Sequence, residues 1–215
     1  MSANTSAATT ATAPATAAST ATEPLRVAVI VGSTRGGRFA PVVTRWLREH
    51  LDARGDLEVD VVDLVETPLP TELPSFGDPA APGTEELLAA VSPRLAAADA
   101  FVIVTPEYNH SYPAPLKNAL DWHNHEFHAK PVAFVSYGGI SGGLRAVEAL
   151  RIVLAELNAV TIRNTVSFHG AWERFDSDGK AVDPAADAAA KTLLDQLTWW
   201  AQALRDAKRV RPFTG

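Results

Sequence analysis

Three short polar segments each follow a run of apolar residues, and their residue types suit the binding of an anionic, planar ligand. Residues 32–38 read Gly-Ser-Thr-Arg-Gly-Gly-Arg, residues 105–109 read Thr-Pro-Glu-Tyr-Asn, and residues 136–139 read Ser-Tyr-Gly-Gly. Open α/β sheets bind their ligands at loops that leave the carboxyl ends of parallel strands. The segments therefore predict a pocket as well as a fold.

The first segment has the residues of an anion site but matches neither common phosphate-loop pattern. It lacks a Gly-Lys-Ser/Thr ending, and Thr34 stands where the dinucleotide pattern needs glycine. A glycine-containing turn at a helix N-terminus offers unpaired N–H groups and a favourable dipole. Ser33 and Thr34 add hydroxyl donors, and Arg35 and Arg38 add planar charged donors. This set predicts a site for a terminal phosphomonoester; the alternative is a solvated turn with two surface arginines.

The other two segments offer contacts for a flat heterocycle. Backbone amides and carbonyls with an aromatic ring suit its polar edge, and glycine lets the backbone approach closely. These contacts are expected from two groups of residues: Pro106, Glu107, Tyr108 and Asn109, and Ser136, Tyr137, Gly138 and Gly139. Alternatively, the tyrosines only pack and the glycines only turn the chain, but three such loops together favour a ligand site.

Five strands are expected to position these loops, at residues 25–31, 57–63, 100–105, 131–136 and 159–166. Helical repeats separate them, and strands alternating with helices indicate a parallel sheet covered by helices on both faces. The commonest small arrangement is the flavodoxin-like strand order 2-1-3-4-5, which reverses direction between strands 1 and 3. We therefore predict the α/β class, as a flavodoxin-like three-layer sandwich with a five-stranded parallel sheet in that order.

The connecting segments fit this plan. Residues 64–83 hold five prolines and predict a long irregular loop, after which helices are expected from Thr84, from 114 to about 122, and from 144. The last helix is expected to begin at Asp183-Pro184. Trp199 and Trp200 adjoin its apolar stripe and are interpreted as packing residues.

Composition limits the class of protein. The chain has 215 residues, a net charge of −6, a pI of about 5.5 and no cysteine. The acidic balance argues against a nucleic-acid partner, no apolar run could span a membrane, and the lack of cysteine excludes disulfides and thiolate chemistry. Residues 1–24 are nearly all Ala, Thr, Ser and Pro and predict a disordered tail, so that residues 25–209 form one domain. A cytoplasmic location is expected.

Four histidines, His110, His123, His125 and His128, cluster after the third strand. Helical metal sites usually present histidines four residues apart, whereas His123 and His125 are separated by two. We predict a polar rim here and no metal site.

The same motifs resemble the NADPH-dependent FMN reductases, together with the related quinone and azo reductases. The resemblance covers residues 25–205 and rests on Gly-Ser-Thr-Arg, on the long segment 105–122 (TPEYNHSYPAPLKNALDW) and on Ser-Tyr-Gly-Gly-Ile-Ser-Gly-Gly at 136–143. It implies a flavodoxin-like fold, bound FMN, a homodimer or homotetramer, and hydride transfer from NADPH or NADH to a small-molecule electron acceptor.

The resemblance also implies roles for particular residues. Ser33, Arg35 and Arg38 would hold the FMN phosphate, with Thr34 or backbone N–H groups as substitutes, because Gly36-Gly37 replaces a hydroxyl residue common in the family. Residues 106–109 would lie along the isoalloxazine ring, and residues 136–139 would meet its pyrimidine edge. A subunit interface beside the flavin is implied for Lys117, Asn118, Asp121 and Trp122.

Two other functions remain open from the sequence. A flavodoxin-type electron carrier would bind FMN without turning over a nicotinamide, but carriers are expected to surround the ring with acidic residues. Glu107 is the only acid in the three loops. The other alternative is a regulatory protein whose flavin state controls a partner.

Overall fold

The computed structural model describes residues 23–75 and 77–215. The predicted tail, residues 1–24, lies outside these residues except for Glu23 and Pro24. Five strands form one sheet: β1 (Leu25–Val31), β2 (Leu57–Asp63), β3 (Ala100–Pro106), β4 (Pro131–Gly138) and β5 (Val160–His169). Five helices cover it: α1 (Ala40–Asp52), α2 (Thr84–Ala97), α3 (Ala114–Trp122), α4 (Leu144–Glu156) and α5 (Pro184–Val210). Two short 3-10 turns, His125–Phe127 and Ala171–Glu173, follow α3 and β5.

The strand order is β2-β1-β3-β4-β5, and every neighbouring pair is parallel. This confirms the predicted flavodoxin-like arrangement, with its reversal of direction between β1 and β3. β1, β3 and β4 are the central strands, and each is apolar along nearly its whole length because helices cover both faces. Residues 64–83 contain neither helix nor strand where they are described, as predicted.

Two hydrophobic cores lie on the two faces of the sheet. The first packs α1 and α5 against the sheet and includes Trp46, Leu47, Leu193 and Leu197. The second packs α2, α3 and α4 against the opposite face. The helices of both cores pack against the strands. This close packing on two faces fixes the strand ends that carry the three loops.

Two details differ from the sequence predictions. β4 and β5 run on to Gly138 and His169, so that Gly138 pairs with His169 and the third loop is anchored by a longer strand. The interpretation of Trp199 as a packing residue is wrong, because its side chain is 64% exposed on α5. Its neighbour Trp200 does pack against the first core.

The described helices include none with the length and apolar character that a membrane crossing would need.

Candidate functional site

The three polar loops meet at the reversal point of the sheet. Gly32 begins the first loop, and its N–H donates to the carbonyl of Val104 on β3 over 2.9 Å. A Cβ at residue 32 would lie 3.0 Å from Cδ2 of Leu116, so glycine allows Leu116 to pack tightly against this turn. Thr105 and Pro106 of β3 pair in turn with Ser136 and Tyr137 of β4. The loops after β1, β3 and β4 therefore lie side by side at one edge of the sheet, as the sequence predicted.

Arg38 is held within the scaffold of the first loop. Its guanidinium forms a two-point ion pair with the carboxylate of Asp63 at the end of β2, at 2.5 and 2.6 Å, and donates to the carbonyl of Ser33 over 2.7 Å. The hydrogen bond to Asp63 raises the pKa of Arg38 above its ordinary value. This geometry does not support Arg38 as a phosphate ligand, because its donors fix the loop instead.

Arg35 is the exposed arginine of the first loop. Its guanidinium carbon lies 5.9 Å from the centre of the Tyr108 ring, so the charge borders the second loop. The Tyr108 hydroxyl in turn lies 2.7 Å from Oγ of the buried Ser33. Ser33, Arg35 and Tyr108 thus come together as predicted, while Thr34 is half-buried beside them.

A buried hydroxyl next to this group lacks a partner. Tyr137 is 5% exposed, and its hydroxyl makes no hydrogen bond of good geometry within residues 23–75 and 77–215, because the nearby Ser33 hydroxyl is bonded to Tyr108 instead. Burial raises the pKa of Tyr137 above its ordinary value, against an opposing effect of the nearby Ser33, so the hydroxyl stays protonated at neutral pH. An unpaired buried hydroxyl costs free energy, and a phosphate oxygen is an acceptor that would satisfy it.

Glu107 braces the second loop against the third. Its carboxylate accepts hydrogen bonds from Oγ of Ser141, from the backbone N–H of Arg145 over 3.2 Å, and from the Arg145 guanidinium over 2.8 Å. Burial acts to raise the pKa of Glu107, but these hydrogen bonds outweigh it and the pKa lies below its ordinary value. Because Arg145 stands in the first turn of α4, Glu107 caps that helix from another loop. The N-terminus of α4 is therefore already occupied by a carboxylate.

The third loop closes through two glycines in left-handed conformation. Gly142 and Gly143 have φ of +61° and +91°, and a Cβ on Gly143 would lie 2.6 Å from Cβ of Ser136. The Gly142 carbonyl accepts hydrogen bonds from Oγ of Ser136 over 2.9 Å and from Oγ of Ser167 over 2.8 Å. Ser136 is thus a structural anchor of the loop, while Gly138 and Gly139 present their backbone at the cleft.

The second loop ends in a tight turn. Tyr108 and Ser111 exchange two backbone hydrogen bonds of 2.8 and 3.1 Å around Asn109 and His110, which have φ of +48° and +73°. Both turn residues are exposed, and asparagine is among the residues that tolerate this conformation best. Asn109 is therefore held in an exposed position at the end of the second loop.

The residues of α3 implied at a subunit interface have partners within the chain. Asn118 and Trp122 donate to the carbonyls of Leu69 and Pro70, over 3.0 and 2.7 Å, and so fix the loop after β2. Lys117 and Asp121 pair with each other on the helix surface. The interface itself stays a prediction.

The histidines after β3 do not form a single cluster, although the rings of His125 and His128 pack edge to face with centroids 4.9 Å apart. His123 is buried and bonded to the Ala119 carbonyl and to Ser92, while His128 bonds to Asn124. Within the described part of the chain, no three potential metal ligands among His, Asp and Glu come together.

Sequence reasoning missed five residues that contact or brace the three loops: Asp63, Ser141, Arg145, His169 and Trp172. Asp63 offered a signal, since it is an acid at the carboxyl end of a strand that neighbours the first loop. The others become site residues only through tertiary contacts, which follow from the pairing of β4 with β5 and the docking of α4.

A flavodoxin-like sheet with a loop of hydroxyl and arginine residues after β1, and two loops that present backbone groups after β3 and β4, is typical of nucleotide-binding α/β proteins. The model of the NADPH-dependent FMN reductase family matches residues 25–173, and the chain belongs to this family, as the motifs predicted.

Relatives and a solved structure agree with this assignment. The chain is 41% identical over 122 residues to a NAD(P)H-dependent FMN reductase of Schizosaccharomyces pombe, an alignment that covers 55% of the chain and 60% of that protein. It is 34% identical over 188 residues to a probable NADPH:quinone oxidoreductase of Oryza sativa, covering 84% of the chain and 91% of that protein. FerB, a flavoenzyme NAD(P)H:(acceptor) oxidoreductase from Paracoccus denitrificans, has a similar fold, with a TM-score of 0.67, 26% identity, and coverage of 83% and 98%.

The residues present fit FMN. The buried Tyr137 hydroxyl that lacks a partner, the hydroxyl of Ser33 and the exposed Arg35 supply donors for a phosphate beside the N-terminus of α1. Gly36 leaves open space at this loop, because a Cβ there would meet no atom within 4 Å.

Proposed function

We propose that the protein is an FMN-dependent oxidoreductase that passes a hydride from NADPH or NADH through bound FMN to small-molecule acceptors such as flavins, quinones or azo compounds. Membership of the NADPH-dependent FMN reductase family supports this proposal. The observation that carries it is the buried, partnerless Tyr137 hydroxyl beside Ser33 and Tyr108, at the loop that holds Arg35.

In this proposal the first loop binds the phosphate. Ser33 and Tyr137 donate hydroxyl hydrogen bonds, Arg35 supplies the charged donor, and Thr34 lines the same turn. Arg38 acts as a positioning residue, because it holds the Ser33 carbonyl and is neutralised by Asp63.

The second and third loops bind the ring. Pro106, Tyr108 and Asn109 border one side of the cleft, and the backbone of Gly138 and Gly139 borders the other. Glu107 keeps these loops at a fixed separation through its bonds to Ser141 and Arg145, and Ser136 fixes the shape of the third loop. When bound, FMN supplies the two-electron chemistry that this chain's own side chains lack. We assign no catalytic acid or base.

The proposal includes assembly and location. A homodimer or homotetramer that uses the exposed part of α3 is inferred from the resemblance of the 105–122 motif, and a cytoplasmic location from the lack of cysteine. Sedimentation of the purified protein tests the assembly.

Anaerobic reduction tests the proposed function. The protein loaded with FMN is titrated with NADPH while the flavin absorbance near its visible maximum is followed. Bleaching, followed by recovery on addition of a quinone, is the expected result. A protein that takes up no FMN would contradict the proposal, and one that binds FMN but is not reduced would be an electron carrier instead.

A further inference from the structure

Trp172 lies beside the third loop, in the 3-10 turn Ala171–Glu173 that follows β5. Its Cη2 atom lies 3.7 Å from the point where a Cβ on Gly139 would stand, yet the residue is 65% exposed. The indole therefore borders the glycine backbone at which the proposed ring approaches, with most of its surface open to solvent.

The backbone that carries this ring is fixed by its neighbours. β5 and its turn are tied to the third loop by hydrogen bonds, and a further bond closes the turn on itself. These bonds run from Gly170 N–H to the Gly139 carbonyl (2.9 Å), between His169 Nδ1 and the Ile140 carbonyl (3.0 Å), from Ser167 Oγ to the Gly142 carbonyl (2.8 Å) and from Arg174 Nε to the His169 carbonyl (2.8 Å). Ala171, the residue before Trp172, is buried in the first core.

The surface beside Trp172 is apolar. Ile140, in the third loop, is 94% exposed and belongs to the same segment that Trp172 borders. An aromatic and an aliphatic side chain held in solvent at the rim of a ligand cleft favour an uncharged, planar partner, because contact with it removes apolar surface from water. A dinucleotide, with its several phosphate charges, gains less from such a surface.

We propose that Trp172 is a specificity-determining residue that contacts planar, uncharged aromatic acceptors of the quinone class at the mouth of the site. The proposal rests on the proposed function. In the net reaction a quinone gains two electrons and two protons, as a hydride from NAD(P)H and a proton from water, and becomes a hydroquinone while NAD(P)⁺ is formed. Trp172 takes no part in these transfers and acts on acceptor binding alone.

Acceptor kinetics of FMN-loaded variants test this role. Trp172→Ala and Trp172→Phe are compared with Trp199→Ala, a matched control because Trp199 is 64% exposed and lies on α5. Each variant is assayed with NADPH and either 2-methyl-1,4-naphthoquinone or ferricyanide, which is neither aromatic nor planar. Circular dichroism and FMN content confirm that each variant is folded and loaded.

For Trp172→Ala, the ratio of kcat/KM for the quinone to kcat/KM for ferricyanide is expected to fall about fivefold to tenfold, chiefly through the quinone KM. Trp172→Phe should restore most of the ratio, and Trp199→Ala should leave it unchanged. Equal ratios in the two alanine variants would overturn the proposal. So would a raised KM for NADPH, which would assign the indole to the donor, or a changed sedimentation coefficient, which would assign it to contact between copies.

Failure of the underlying function has a different signature. If NADPH does not reduce the FMN of the unaltered protein, the proposed function is contradicted. If reduction is normal and the quinone-to-ferricyanide ratio of Trp172→Ala is unchanged, only the role of Trp172 is contradicted.

Discussion

The guanidinium of Arg38 and the carboxylate of Asp63 join the first loop to the end of β2 through two parallel hydrogen bonds of 2.5 and 2.6 Å. Their side chains are only 15% and 17% exposed, so loss of one partner leaves the other charge poorly solvated. Arg38→Ala is therefore expected to lower the free energy of unfolding by about 2–3 kcal/mol, measured by urea denaturation.

Arg35→Ala is expected to separate binding from stability, because Arg35 is exposed. Its unfolding free energy should change by less than about 0.5 kcal/mol, while FMN affinity, measured by fluorescence quenching, falls about tenfold or more. Riboflavin, which lacks the phosphate, should bind both proteins equally. An Arg35→Ala variant with undiminished FMN affinity would remove Arg35 from the phosphate site.

Glu107→Gln is expected to destabilise the protein in a pH-dependent way. The lowered pKa of Glu107 means that its ionised form stabilises the fold. This stabilisation is complete above the ordinary value of 4.5 and is lost as the pH falls through the lower value of the folded state. At pH 7 the free energy of unfolding of the variant should be about 1–3 kcal/mol lower than that of the unaltered protein, and this difference should shrink below about pH 4.5. Glu148→Gln, an exposed change on α4, is the control; a difference that does not vary with pH would contradict the assignment.

Gly143→Ala is expected to disrupt the third loop. The φ of +91° disfavours any side chain, and the new Cβ would meet the backbone N of Tyr137 at 3.0 Å as well as Ser136 at 2.6 Å. We expect a loss of about 2–4 kcal/mol in thermal or urea unfolding, together with weaker FMN retention. Gly36→Ala meets open space and should change stability little, so equal effects in the two variants would be inconsistent with this geometry.

Lys130 should make stability rise at alkaline pH. The residue is 7% exposed, and its ammonium donates to the carbonyls of Leu95 and Ala96 at the end of α2, over 3.1 and 2.8 Å. Burial, aided by Lys208 and opposed by Asp99 and Glu126, lowers its pKa to about 8.

Below pH 8 both folded and unfolded chains carry the proton, so the cost of burying the charge is fully present. As the pH rises from 8 towards 10.5, Lys130 loses its proton in the folded chain but keeps it in the unfolded chain. The free energy of unfolding therefore rises by up to about 3 kcal/mol. Urea unfolding at pH 7 and pH 10 should show a larger rise in unfolding free energy for the unaltered protein than for Lys130→Met. Lys191→Met, which alters an exposed lysine of α5, is the control and should show the same rise in unfolding free energy between pH 7 and pH 10 as the unaltered protein. If Lys130→Met shows that rise too, Lys130 does not titrate in this range.

The strands and loops could be predicted because their signals are local. Val29, Val102 and Val135 belong to nearly continuous apolar runs, and buried strands require such runs wherever they occur. The reversal between β1 and β3 then places the first two loops together without any knowledge of side-chain contacts.

The partners of individual side chains could not be predicted in the same way. Arg38 finds Asp63 across 25 residues and Glu107 finds Arg145 across 38, so both pairings depend on how loops and helices dock in three dimensions. An arginine in an anion-loop motif therefore looked like a ligand residue when its charge was already matched. Periodicity placed Trp199 next to the apolar stripe of α5. It could not show that Trp199 faces solvent while the next residue, Trp200, packs against the first core.

The capping of α4 by Glu107 has a consequence for what the third loop offers a ligand. The carboxylate already occupies that helix end and is paired there with Arg145. The third loop therefore presents uncharged glycine backbone instead of a second anion site.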